Sequence, residues 1–266
     1  MIMEPPPPTE NAGNETLPTP EPMSLTARLC NVFAAPGEVF DSIKARPAST
    51  ANWLVPAILY SVLGILGFWL AFSQPAIDQQ IREMTAKAME KQFAKAKMPP
   101  EQAEQVRAQA EKWGGLAMKL STYGGVVVDG FATPFLWGLF IFLVGSKALK
   151  APVPYMKAVE VAGLSKMIDV LGVVIGKLLA IVTSNFMATP SLVLLIKEFD
   201  PQNPVHLAAG LTDVTLLWML AVRAVGLSKL ANVSFAKAAA WVFGIWLTYS
   251  ALMIGGSAAA AAIGGK

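Results

Sequence analysis

The sequence predicts an all-α polytopic membrane protein: a five-transmembrane-helix bundle with an inserted extracytoplasmic helical hairpin. Three observations predict it. Of 266 residues, 54% are hydrophobic and only 15% charged, with a mean hydropathy of +0.50. An ordinary soluble domain carries about 25% charged residues. The apolar residues fall in five long runs, each near the roughly 20 residues a helix needs to cross about 30 Å of hydrocarbon. None of the runs alternates with a period of two, as the strand of a membrane barrel would.

Residues 1–24 are expected to be a disordered, proline-rich cytoplasmic tail. Pro5, Pro6, Pro7, Pro8, Pro18, Pro20 and Pro22 interrupt regular structure, and Glu4, Glu10, Glu15 and Glu21 add charge with little to bury. The tail lacks the basic and apolar regions of a signal peptide, so the first span is expected to insert as an uncleaved anchor.

Residues 25–50 read as an interfacial amphipathic segment. Val32, Phe33, Val39, Phe40 and Ile43 sit among Arg28, Lys44 and Arg46, and Pro36-Gly37 breaks the run. Two short turns are expected in the inner interface, with the apolar side in lipid and the basic side among headgroups. Phe33, Pro36, Phe40 and Ile43 are the expected anchors.

Residues 51–266 supply the transmembrane domain, with runs at 52–72, 123–146, 161–183, 207–227 and 238–263. Between the first two runs, residues 75–122 read as a charged extracytoplasmic helical hairpin. Ile77, Ile81, Met84 and Ala88 mark one arm, and Met98-Pro99-Pro100 the break. Ala103, Val106, Ala110, Trp113, Ala117 and Leu120 form an apolar seam on the other arm. That seam either binds a partner or self-associates as an antiparallel pair, or else packs against its own neighbour or lies on the membrane surface.

Basic residues orient the chain. Arg28, Lys44 and Arg46 precede the first run, Lys147, Lys150 and Lys157 lie between the second and third, and Lys229 and Lys237 lie between the fourth and fifth. The pattern places the N-terminus in the cytoplasm and the C-terminus outside.

Six ionisable residues fall within the runs: Asp129, Lys166, Asp169, Lys177, Asp213 and Arg223. Such residues face the bundle interior and pair. Counted at about 1.5 Å per residue, they form an expected outer layer of Asp129, Lys177 and Asp213 and an inner layer of Lys166, Asp169 and Arg223. The layers read either as a polar pathway or protonation switch, or as structural pairs that decide which helices meet. Pro134 is expected to kink the second span and free the Gly130 carbonyl. Gly64, Gly67, Gly172 and Gly176 would let helices approach closely.

Motifs for catalysis are not found. The chain has one cysteine (Cys30) and one histidine (His206), and lacks a phosphate loop, zinc spacing or nucleophile elbow. No cofactor or metal is expected. A formal net charge of +3 is too weak to indicate nucleic acid binding.

A family resemblance follows from particular residues. Phe33-x-x-Pro36, Glu38-Val39-Phe40-x-x-Ile43 and Trp53 resemble the start of the Yip family of Ypt/Rab-interacting-type membrane proteins in its bacterial form. Asn203-Pro204, Leu211-Thr212-Asp213, Leu216-Leu217-Trp218, Val225-Gly226-Leu227 and Ser234-Phe235-Ala236-Lys237-Ala238 resemble its last two spans. The looser element Tyr155-Met156-Lys157-Ala158-Val159 leads into the third. The resemblance implies a five-span bundle with a cytosolic N-terminus. Eukaryotic relatives are associated with small GTPases, vesicle budding and curvature. The resemblance supplies no catalytic residue.

The expected function is therefore non-enzymatic. The protein would organise or scaffold the membrane, expected to be the bacterial cytoplasmic (inner) membrane, with the lipid bilayer and a second copy or other membrane proteins as partners. The alternative is a channel or transporter subunit with an intramembrane polar site at Asp129, Lys177 and Asp213.

Overall fold

Ten α-helices build the computed structural model, which describes residues 23–196, 199–200 and 203–264; all regular structure among them is helical. The expected disorder of residues 1–24 falls almost wholly outside the described residues. Helix α7 (Tyr155–Thr183) stands at the centre and packs against α3 (Ala51–Phe72), α6 (Gly115–Leu143) and α9 (Val214–Ala231). Its first half is buried on all sides, from Lys157 through Lys166. A helix so enclosed must carry its polar groups paired. That is how its buried half can hold Lys157, Glu160 and Lys166.

Among the described residues, four helices are long and apolar enough to cross a membrane. These are α3, the continuous helix Pro100–Ala148, α9, and Phe235–Gly256 within α10 (Phe235–Gly264). Their outer faces expose apolar side chains such as Ile58, Val62, Val128, Leu136, Leu247 and Leu252, as surfaces solvated by lipid require.

Local chemistry sets the boundaries. Proline stands at the start of α2 (Pro36–Lys44), α4 (Pro75–Ala96), α5 (Pro100–Gln109) and α8 (Pro204–Gly210), where its missing N–H costs nothing. Lys97 and Ser184 close α4 and α7, and Asn232 closes α9, each in the left-handed region.

Three expected boundaries change. The fourth run, read as 207–227, divides into α8 and α9, because Asp213 caps α9. Asp213 Oδ1 accepts from the backbone N–H groups of Thr215 (2.9 Å) and Leu216 (3.1 Å). The third run begins at Tyr155 rather than 161, because Lys157 and Glu160 neutralise each other inside the bundle at 2.6 Å. The second arm of the 75–122 segment continues into the second run without a break, through a π-helical turn at Ala110–Gly114.

The N-terminal segment also differs from expectation. Helices α1 (Leu25–Asn31) and α2 turn their apolar face onto the bundle, not into lipid. Val32, Val39, Phe40 and Ile43 lie in the main core with Leu164, Leu220 and Leu227. Phe33 packs edge-on to Trp218 at 5.8 Å between centroids. Lys44 donates to the Lys229 carbonyl at 2.7 Å and to Asn232, and Asp41 pairs with Lys229, which fastens α2 to the end of α9.

Close crossings hold the centre together. A β-carbon at Gly163 would fall on the Trp53 backbone, and one at Gly226 on the Val161 side chain. Gly64 meets Val126, Gly67 meets the stem of Lys177, and Gly172 meets Thr215, whereas Gly176 has only loose neighbours.

Candidate functional site

The polar centre of the bundle is assembled by α3, α6 and α7 around Lys166, which is completely buried. Its Nζ lies 2.9 Å from Asp129 Oδ2 on α6 and 3.1 Å from Asp169 Oδ2, one turn along α7. It also lies 3.9 Å from the centroid of the Tyr60 ring on α3. Thr133, a turn beyond Asp129, donates its hydroxyl to Asp129 Oδ1 at 2.6 Å. One ammonium thus ties three helices through two carboxylates and a ring face. Each acid is only partly covered, with side-chain exposures of 46% for Asp129 and 27% for Asp169.

Arg223 forms the second element, from the middle of α9. It is completely buried, with its guanidinium carbon 4.4 Å from the centroid of Trp137 on α6. Among the described residues none of its nitrogens has a hydrogen-bond partner. It is held by the ring face and by attraction from Asp169 and Asp129. Lys166, Arg223, Asp129 and Asp169 balance to zero charge.

The expected outer layer does not assemble. Asp129 pairs with Lys166 instead of Lys177. Lys177 lies 3.7 Å over the Phe68 ring and 5.3 Å from that of Phe186. Asp213 is engaged as the cap of α9, where it also accepts from the Thr215 hydroxyl at 2.6 Å. The three have separate partners. The physical reason is register. Lys166 and Lys177 are eleven residues apart on α7, about 16 Å along the axis, and Asp129 meets the first of them.

Pro134 is buried on α6, one turn beyond Gly130, and the helix runs on through it. Gly130 lets α6 lie against Ser61 and the Ala57 carbonyl of α3, which brings Asp129 to the central lysine. Tyr60 and Trp137 escaped the sequence reading. Their signal, an aromatic in mid-span able to face a buried cation, is shared by too many packing aromatics to stand out.

At the end where the chain first joins the bundle lies another polar group. Arg28 Nη1 donates to Asn52 Oδ1 (3.2 Å), Asn52 Nδ2 donates to Glu160 Oε1 (2.6 Å), and the Ser49 N–H donates to the same oxygen (2.8 Å). Lys157 adds bonds to the carbonyls of Ile43 (2.7 Å) and Pro47 (3.2 Å). Among the described residues, no group of three or more histidine, cysteine, aspartate or glutamate side chains gathers as a metal site would need.

The helical segments joined by these contacts coincide with a known family pattern: the Yip1 domain matches residues 30–257. The chain belongs to the Yip1 family. No curated protein and no solved structure matches it. The Yip1 match runs from the last residues of α1 into α10 and includes the resemblances at Phe33, Pro36, Phe40, Ile43 and Asp213. It spans the central cluster of this Yip1-domain membrane protein, the Asn52–Glu160 part of the second polar group and the charged segment 75–122, while Arg28 lies just before it.

Proposed function

We propose that this Yip1-family protein is a non-enzymatic membrane organiser that acts by self-association through its extramembrane arm. The observation that carries this reading is an unpartnered apolar seam. On the continuous helix Pro100–Ala148, Trp113 is 58% exposed and Leu120 62%, with Val106 and Leu116 also open. The α4 arm meets this helix through Arg107 over the Phe93 ring at 5.7 Å and leaves the seam uncovered. An apolar stripe outside the spans costs free energy until it is covered. Charges of both signs flank it, with Glu101, Glu104, Arg107, Lys112 and Lys119 on one face of the segment or the other. An antiparallel copy would meet them with opposite charges.

In this reading α7 is a fifth span. Its 29 residues reach about 43 Å, and its ionisable groups are paired, ring-covered or buried against other helices. The end bearing Arg28, Lys44, Arg46, Lys147, Lys157 and Lys229 faces the cytoplasm by the basic-residue rule. That leaves the C-terminus and the charged segment outside a bacterial inner membrane. The central ion cluster serves to fix helix pairing, since its charges balance and each carboxylate has a cation.

Crosslinking in native membranes and light scattering in mild detergent test the proposal. The full chain is expected to be dimeric or larger, and Trp113→Ser with Leu120→Ser to make it monomeric while its melting temperature holds. A wild-type chain that is monomeric in both settings would sink the reading.

A further inference from the structure

The Arg28–Asn52–Glu160 group borders a cavity of about 310 Å³, lined in part by Arg28, Arg46, Pro47, Ser49, Asn52 and Glu160. Ligand sites begin at about this size. Its floor carries an acid whose charge is already used. Glu160 Oε1 accepts from Ser49 and Asn52, and Oε2 pairs with Lys157, itself held by two backbone carbonyls.

The two arginines are not used in this way. Arg28 is only 9% exposed and spends Nη1 on a neutral amide, while its Nε is buried without a partner. Arg46 is exposed, and among the described residues its guanidinium makes no hydrogen bond or ion pair. A buried guanidinium N–H left unpaired carries the full desolvation penalty of a charged donor. Arg28 carries that penalty, and the exposed Arg46 beside it brings the surplus over the cavity to two positive charges. The planar guanidinium fork matches the paired oxygens of a phosphate.

We infer that this cavity binds a phosphate group between Arg28 and Arg46. The chemistry is that of a phosphoryl monoanion or diester, from an anionic lipid headgroup or a free phosphate. The site lies where α1, α2, α3 and α7 converge. A bound phosphate would therefore fasten the N-terminal helices to the bundle. It would also supply the partner that Arg28 Nε lacks.

Native mass spectrometry of the full chain in a neutral maltoside detergent tests this inference. The probes are phosphatidylglycerol, a diacylglycerol without phosphate, and inorganic phosphate. Wild type is expected to retain phosphatidylglycerol or phosphate, and to discriminate against diacylglycerol at least ten-fold. Arg46→Gln, at an exposed position, is expected to weaken that binding about ten-fold. Lys147→Gln, on the same basic rim but outside the cavity, should change it less than two-fold. Arg28→Gln should act like Arg46→Gln; if it does not fold, the exposed variant decides. Retention of the lipid alone assigns the site to a headgroup. Retention of inorganic phosphate alone assigns it to a soluble phosphate. The inference is overturned if neither phosphate probe binds, or if Lys147→Gln weakens binding as much as Arg46→Gln.

Discussion

The ammonium of Lys177 rests 3.7 Å above the ring of Phe68, one helix away, with no carboxylate as partner among the described residues. A desolvated cation on an aromatic face gains up to about 2 kcal/mol. A double-mutant cycle isolates that gain. Phe68→Leu is expected to cost about 1 kcal/mol more in the presence of Lys177 than in a Lys177→Met background. Reversible unfolding in detergent is the measurement, and equal costs in both backgrounds would refute the contact.

Lys166 is the charge whose loss should matter most. Lys166→Met strands Asp129 and Asp169 together without a cation, and breaking a buried pair costs about 3–5 kcal/mol. Asp129→Asn should cost less, because Asp169 still holds the ammonium. The triple change that adds Asp129→Asn and Asp169→Asn to Lys166→Met should recover much of the loss. Folded fraction by size exclusion and melting temperature reads all three.

Arg223 is as deeply buried as Lys166 but has only a ring and distant charges around it. Replacing a poorly satisfied buried charge by an apolar side chain is often neutral. Arg223→Met is therefore expected to shift the melting temperature by less than half the shift of Lys166→Met. A larger shift would show that the guanidinium holds the α6–α9 contact.

Phe40 distinguishes a docked N-terminal segment from one lying in lipid. It is fully buried, while Phe33 is half-covered against Trp218. Phe40→Ala should destabilise by about 3–5 kcal/mol, and Phe33→Ala by about half that. A cysteine at position 40 should resist thiol reagents in intact membranes, in contrast to the exposed Cys30. Rapid labelling at position 40 would contradict the docking.

Gly163→Ala places a methyl group against the Trp53 backbone, where nothing flexible can yield. It should separate α3 from α7 and lower the yield of folded protein severely. Gly115→Ala, with open space around it, should instead stabilise by about 0.5–1 kcal/mol through helix propensity. Expression yield and thermal melts of the two variants make the comparison.

Hydropathy made the apolar helices legible, because crossing lipid requires length and apolarity together. The first run, 52–72, differs from α3 by one residue. What hydropathy could not resolve was polar structure inside helices. Lys157 and Glu160 read as loop because their mutual neutralisation depends on the fold, not on composition. Asp213 read as a span residue because one capping aspartate in an apolar run gives the same average hydropathy as a buried one. The ion pairing failed for a related reason. The run 123–146 puts a helix end six residues from Asp129, but the helix holding Asp129 starts more than twenty residues before that run, so no helix end fixes its level. The buried face of α2 was visible as amphipathic, yet amphipathicity does not say whether lipid or protein covers it.

The uninterrupted helix from Pro100 to Ala148 measures about 73 Å, more than twice the hydrocarbon thickness. Trp113, in the π-helical turn, and Asp129 therefore lie on one continuous helix. In the proposed self-association, a tilt imposed at the seam is delivered as a lever to the carboxylate that shares Lys166, while the other two helices of that cluster stay anchored to the bundle.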